Sequence, residues 1–309
     1  MAAAEARELY EVVIVGGGPA GLAAAVYTAR QGLVTAVVAG ELGGQAQWAG
    51  KVENYLGFEL VSGAELARHF REHVGRFDVD CFEGQFVNAV VPAKDAFEVY
   101  TREGLRLVGR TVIIATGRAP ARLAVPGEKE LVGRGVSYCA TCDAAFFRGK
   151  PVAVVGPGES AAEAALQLAA LHARVVVVSE EPLRAPVALL DKLAAETRIA
   201  VRVGPKVVRI DGEDRVTAVV LQEPSGAEVA VPVDAVFIEV GSIPAEEFTG
   251  GLLKVNDRGE IEVGRDTMTS YAGIFAAGDV TDELGKQIII AAGEGARAGV
   301  AAARWLQRR

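Results

Sequence analysis

Short Val/Ile-rich runs alternate along the chain with Ala-rich stretches of helical length. That alternation is the βαβ signature of an α/β protein with parallel strands. Two segments carry it in matching form. The first is YEVVIVGGGPAGLAAAVYTARQGLVTAVVAGE and the second KPVAVVGPGESAAEAALQLAALHARVVVVSEE. Each reads as strand, Gly-rich turn, helix, strand, acidic residue.

The turn residues are Gly16, Gly18 and Gly21, with Pro19 and Ala20 between them, and in the second copy Gly156 and Gly158, then Glu159, Ser160 and Ala161. The spacing has a physical reason. The first glycine makes the tight turn after the strand. The second lets backbone approach a pyrophosphate, and the third position must be small so that the helix can sit on the sheet. Free N–H groups at the helix start then face the phosphates. An acid about twenty residues on would bond the adenosine ribose, and Glu41 and Glu181 stand twenty positions after Gly21 and Ala161. A second echo pairs IIATGRAP (113–120) with FIEVGSIP (237–244), apolar strands ending in Gly-x-x-Pro, breakers suited to chain crossings between domains. The expected fold is α/β with two Rossmann-like dinucleotide-binding domains, the second inserted into the first. The outer domain would comprise 1–118 and 245–309 and the inserted one 119–244.

Charge and composition narrow the function. With 40 acidic and 32 basic side chains, the 309-residue chain carries a net charge of −8. That argues against broad binding to nucleic acid or an anionic membrane. No run of about twenty apolar residues suggests a membrane span. The N-terminal MAAAEARELYEVV lacks a basic stretch followed by an apolar core, so no signal peptide is expected. Three cysteines form no disulfide framework. A cytoplasmic, reducing home is expected, where a disulfide is more often catalytic than structural.

Two of those cysteines, Cys139 and Cys142, lie in VSYCATCDAA, with Asp143 directly after. Structural zinc usually takes two such pairs, or one pair and two histidines. His69 and His73 have i,i+4 spacing, but AELARHFREHVGRF reads as an ordinary amphipathic helix. No metal site is expected. Cys81, in VDCFEG, reads as an apolar strand residue. A CxxC that opens a helix has its thiolate stabilised, and thiolate is the species that attacks disulfides.

The whole chain resembles the low-molecular-weight thioredoxin reductase family, and the flavoprotein subunit of alkyl hydroperoxide reductase that shares its core. The resemblance rests on VVIVGGGPAGLAAAVYTAR, GGQAQWAGKVENYLGF, IIATGRAP, GVSYCATCDAAFFRGK, FAAGDV and KQIIIAAGEGARA. It implies FAD in the outer domain and a nicotinamide cofactor in the inserted one. For FAD it designates Gly16, Gly18, Pro19, Ala20, Gly21 and Glu41, then Gly43, Gly44 and Gln45 of the Gly-Gly-Gln loop. Asn54 of VENY, Thr116 and Gly117 of the ATG, Gly278 and Asp279 of FAAGDV, and Lys286, Gln287 and Ile288 at the start of the last helix complete the set. By the same resemblance Cys142 is the flavin-facing thiol, Cys139 attacks the protein substrate, and Asp143 moves the proton. The glutathione reductase type carries its cysteines near the early Gly-Gly loop, where this chain has ELGGQAQW, and uses a C-terminal histidine; no histidine follows His172 here.

The donor is where the sequence departs from the family pattern. NADPH-specific members hold the 2′-phosphate on a His-Arg-Arg run after the second strand of the inserted domain. Here Ser179, Glu180 and Glu181 stand instead, with Arg184 beyond. Two carboxylates repel a 2′-phosphate but can bond free ribose hydroxyls. NADH is therefore expected ahead of NADPH, bound by Gly156, Gly158, Glu159, Ser160, Ala161, Glu180 and Glu181. Pro157 and Glu159 in the second turn leave open a relative with no nicotinamide use, either a ferredoxin-fed reductase or an oxygen-dependent dithiol oxidase. A flavin-binding redox sensor is a further alternative. The acceptor implied by the resemblance is thioredoxin or a glutaredoxin-like protein. The first strand starts about ten residues into the chain, so a separate dithiol carrier is expected rather than an N-terminal domain. The resemblance also implies a homodimer and rotation of the inserted domain about GRAP and GSIP. Trp305 is expected to anchor the last helix by packing.

Overall fold

The computed structural model describes residues 6–49, 51–244 and 247–309. Its chain divides into two units, one of Met1–Ala119 with Ile243–Arg309 and one of Pro120–Ser242. Residue 245, where the sequence reading resumes the outer domain, and the first five residues of the N-terminal segment lie outside the described residues.

In the first unit the run YEVVIV forms strand Tyr10–Val15, almost wholly buried. A strand apolar on both faces belongs inside a parallel sheet covered on both sides. Tyr10–Val15 indeed pairs in parallel with Thr35–Ala39 and with Arg106–Ile114, Val13 facing Ala36 on one side and Val112 on the other. Val79–Glu83 extends the sheet beyond Thr35–Ala39, and Ile274–Ala276 adds a further parallel partner to Arg106–Ile114. An antiparallel hairpin, Val87–Ala93 with Ala96–Thr101, completes the seven strands. One face packs on helices Pro19–Arg30 and Ile288–Gln307 through Ala24, Ala25, Ala298 and Ala302, side chains small enough for the helices to close on the sheet and on each other. Trp305 packs at the edge of this core, with the Arg309 guanidinium 4.2 Å over its ring.

Helix Gly63–Val74 starts where Ser62 Oγ accepts the Glu65 N–H at 3.2 Å, half of a Ser-x-x-Glu capping box. His69 and His73 on that helix stack on Phe58 and Phe77. Among the described residues no group of His, Cys, Asp and Glu side chains could hold a metal. Cys81 is a half-buried residue of Val79–Glu83 packed against the core, and burial pushes its thiol up to about 11. It stays protonated at neutral pH. No helix among the described residues is long and apolar enough to cross a membrane.

The second unit repeats the plan. Its five-stranded parallel sheet runs in the order Ile199–Val203, Arg174–Ser179, Pro151–Val155, Ala235–Ile238, Val136–Ser137. Helix Glu159–Ala170 covers one face with a row of buried alanines, Ala161, Ala162, Ala164, Ala165 and Ala169. An antiparallel three-stranded sheet spanning residues 206–232 covers the other. Both units thus contain the strand–turn–helix–strand element that the hydrophobic pattern predicts. The chain passes between units at the short strands Arg118–Pro120 and Ser242–Pro244.

Candidate functional site

The first glycine turn separates two kinds of constraint. A Cβ at Gly16 would stand 2.2 Å from Ala115 O, and one at Gly21 would stand 1.9 Å from Gly16 O. The protein's own backbone forbids side chains at both. Gly18 differs. It caps helix Pro19–Arg30 in an ordinary extended conformation, φ −74° and ψ −177°, with no side-chain cap bond. A Cβ there would meet nothing within 4 Å. Packing does not explain its bareness, whereas close backbone approach by a phosphate does. Pro19 and Ala20 open the helix. The Gly-Gly-Gln loop closes onto the turn: Gly43 N–H donates to Gly17 O at 2.8 Å, and a Cβ on Gly44 would lie 2.8 Å from Gly18 Cα. Glu41 O lies 2.6 Å from where a Gly17 Cβ would be, so this exposed acid sits beside the same turn. Gln45 donates from Nε2 to Arg118 O.

A second group gathers beside that turn, where a Cβ on Gly278 would stand 2.9 Å from Ala20 Cβ. Asn54 Nδ2 donates to Gln287 Oε1 at 3.0 Å, and Gln287 caps the helix that begins at Ile288. Lys286 Nζ donates to the carbonyls of Thr281 and Glu283 and lies 3.6 Å from Glu260. Thr116 and Gly117, the latter at φ 68°, follow strand Arg106–Ile114. Gly278 N–H donates to Glu294 at 2.7 Å. Burial raises the Asp279 carboxyl above its ordinary range, Lys286 and Arg118 pulling the other way. No hydrogen bond to its side chain occurs among the described residues. A buried carboxyl with no hydrogen-bond partner among the described residues fits a bound hydroxyl-rich chain. The residues present therefore suit FAD.

Three contributors escape sequence reasoning: Arg118, Glu260 and Glu294. Arg118 Nη1 pairs with Glu260 at 2.7 Å, the side chains 15% and 10% exposed, and Asn256 also donates to Glu260. Removing Arg118 leaves the buried Glu260 carboxylate with Asn256 and the more distant Lys286, 3.6 Å away, as its remaining partners. Arg118→Met alone is expected to cost about 3 kcal/mol. Arg118→Met combined with Glu260→Leu should cost less than the single change. Urea unfolding of the three proteins measures both values.

In the second unit strand Val136–Ser137 runs straight into the CxxC. Cys139 caps the short helix Ala140–Asp143, and its Sγ accepts the Cys142 N–H at 3.1 Å. The two cysteines form a disulfide with Cα atoms 5.3 Å apart. Ser137, which the sequence reading passed over, accepts the Cys139 N–H at 3.1 Å and donates to Cys139 O at 3.3 Å. Burial raises the Asp143 carboxyl above the ordinary range, with the nearby Ser137 hydroxyl pulling the other way. A raised acid beside a disulfide can carry a proton to or from a departing thiol.

The second glycine turn lies in this unit too. A Cβ on Gly156 would stand 2.2 Å from Glu239 O, whereas one on Gly158, the cap of Glu159–Ala170, would meet nothing within 4 Å. Ala161 is fully buried beneath the turn. The open middle position recurs, so this turn also suits a pyrophosphate. Arg184 N–H donates to Pro157 O at 2.7 Å, which ties the loop after Arg174–Ser179 onto the turn. Arg184 pairs with Glu181 at 2.9 Å, and Ser179 Oγ donates to Glu181 O at 2.5 Å. Glu180 is exposed beside them, as is Glu159. Ser160 Oγ reaches Glu239 O at 3.5 Å.

Comparison with known proteins agrees with this geometry. The profile of the Pyridine nucleotide-disulphide oxidoreductase family matches residues 10–295. The thioredoxin reductase structure from Streptococcus pyogenes is 36% identical, with a TM-score of 0.92 over 98% of this chain and 99% of its own. The thioredoxin reductase from Giardia duodenalis is 31% identical, with a TM-score of 0.91 over 97% of this chain and 100% of its own. The F subunit of alkyl hydroperoxide reductase from Staphylococcus aureus is 38% identical over 307 residues, 98% of this chain, which spans 60% of that relative's length. The chain belongs to the pyridine nucleotide-disulphide oxidoreductase family.

Proposed function

We propose that the chain is an FAD-dependent disulfide reductase that takes electrons from NADH and delivers them to a thioredoxin- or glutaredoxin-like protein. The observation that carries this reading is the Cys139–Cys142 disulfide, with the raised carboxyl of Asp143 adjoining it, in the same unit as a glycine turn open at Gly158. FAD, held by the Gly18 turn, the Gly-Gly-Gln loop and Asp279, would supply a two-electron carrier between nicotinamide and disulfide. Once the pair is reduced, Cys139 attacks an external disulfide and Cys142 then displaces the mixed disulfide. Asp143 holds the proton exchanged with the Cys142 sulfur. The segments 117–120 (GRAP) and 241–244 (GSIP) would carry the hinges, and a cytoplasmic homodimer is the working assembly.

NADH is favoured by the loop after Arg174–Ser179. Glu180 and Glu181 put two carboxylates where a 2′-phosphate would lie, and Glu181 engages the nearby Arg184. Like charges brought together cost several kcal/mol, and 1.4 kcal/mol is a factor of ten. Anaerobic mixing with each nucleotide is therefore expected to bleach the flavin at least about tenfold faster with NADH than with NADPH. Equal rates would remove the specificity argument. No bleaching by either would favour the nicotinamide-free reading.

A further inference from the structure

We propose that Glu294 is a positioning residue for the cofactor: its carboxyl fixes the Gly278–Asp279 turn, so that Asp279 meets the ribityl chain of FAD. The inference rests on reading Asp279 as a ligand of FAD.

Glu294 lies in the second turn of the last helix, Ile288–Gln307, and is 8% exposed. The helix is firmly seated at this point. A Cβ on the next residue, Gly295, would stand 1.9 Å from Ala20 O, so the last helix lies backbone to backbone on the first turn of helix Pro19–Arg30. A Cβ on Gly278 would stand 2.9 Å from Ala20 Cβ. The last helix and the Gly278 turn both pack against Ala20, and the Glu294 side chain reaches from one to the other. Interiors packed this closely leave little play, so Glu294 works from a fixed base.

Both peptide planes beside Gly278 are held. On one side the Gly278 N–H donates to Glu294 Oε2 at 2.7 Å. On the other the Gly278 carbonyl accepts the Thr281 N–H at 3.0 Å and the Thr281 hydroxyl at 2.9 Å. That hydroxyl also lies 3.5 Å from Glu294 Oε2. Gly278 has φ 80°, in the left-handed region, which glycine enters without steric cost. The second plane ends at the Asp279 Cα, so these bonds place the start of its side chain. The far end of the turn is tied to the same helix by other groups. Arg297 pairs with Glu283 at 2.6 Å, and Lys286 Nζ donates to the Thr281 and Glu283 carbonyls. What Glu294 supplies is the acceptor for the Gly278 N–H. Gly278 is buried, and a buried N–H that loses its partner carries a desolvation cost unless it turns elsewhere. A glycine is the residue freest to turn. Without Glu294 the turn would relax and carry Asp279 off the ribityl hydroxyls.

The test times FAD release from the flavin-loaded enzyme after dilution, by the rise in flavin fluorescence. Glu294→Ala is expected to release FAD about tenfold faster, the size of one buried hydrogen bond. Glu294→Gln keeps an oxygen acceptor for the Gly278 N–H and should release FAD at close to the wild-type rate. The distinguishing readout is the coupling to Asp279. A residue that acts through Asp279 has nothing left to position once that carboxyl is gone, so Glu294→Ala should add little to Asp279→Ala. Its full effect should instead multiply with that of Gly18→Ala in the glycine turn. A loss from loosened packing would multiply with both. Full multiplication with Asp279→Ala would overturn the proposal, as would equal release from Glu294→Ala and Glu294→Gln. Should Glu294→Ala fail to fold, Glu294→Asp, whose carboxyl stops one methylene short of the Gly278 N–H, takes its place with the same pattern expected. Release from Asp279→Ala at the wild-type rate would show instead that Asp279 is no ligand of FAD, which removes the reading beneath the inference.

Discussion

Replacing Cys142 with serine is expected to lower reduction of a dithiol protein's disulfide by on the order of 10³-fold or more, with the flavin still bound. The expectation follows from the geometry of the pair. Its Cα atoms are 5.3 Å apart and joined through sulfur, so removing either sulfur removes the couple as a unit. Groups that act as a unit show grossly non-additive losses. Cys139→Ser, Cys142→Ser and the double variant should all fall to about the same residual rate. The structural cost should be small. A disulfide closing so short a loop stabilises by about 2 kcal/mol in the chain-entropy model. Circular dichroism and flavin absorbance should therefore resemble wild type. A reduction assay against thioredoxin, alongside anaerobic flavin bleaching by NADH, separates the steps. Bleaching should persist while thioredoxin reduction vanishes. A variant retaining more than a few per cent of turnover would show that electrons leave by another route.

The legibility of each feature in the sequence depends on how local it is. The two strand–turn–helix–strand units lie within about thirty residues each, and their periodicity is set by burial on one or both faces. Both are plain in the sequence. The adjacency of Cys139, Cys142 and Asp143 is equally local. The antiparallel sheet over 206–232 is harder, because register shifts at Val207/Arg209 and Asp211/Gly212 break the period-two alternation that marks strands. Long-range pairs are harder still. Arg118 and Glu260 are 142 positions apart, and nothing in either local sequence signals a buried ion pair. Asn54 and Gln287 are 233 apart, and each stands out only through family resemblance; their hydrogen bond to one another is a fact of the fold.

The glycine turn of the first unit yields the other large expected effect, because it separates folding from cofactor binding within a few residues. Gly18→Val should fold and bind FAD poorly. Its backbone angles suit any residue, and nothing within 4 Å opposes a side chain. The added groups would instead fill the space through which a pyrophosphate approaches the backbone. Overpacking typically costs about 1–3 kcal/mol, which is about a five- to 150-fold loss of FAD affinity. Gly21→Ala should behave in the opposite way. Its Cβ would stand 1.9 Å from Gly16 O, a backbone atom that cannot swing aside. The helix would have to lift from strand Tyr10–Val15, so stability should fall by about 1–3 kcal/mol whether or not flavin is present. Urea unfolding of flavin-free protein, paired with FAD titration, reads the two effects independently. If Gly18→Val binds FAD like wild type, the space beside Gly18 is not where the pyrophosphate lies. If Gly21→Ala unfolds like wild type, the backbone contact there is softer than a direct clash with Gly16 O requires.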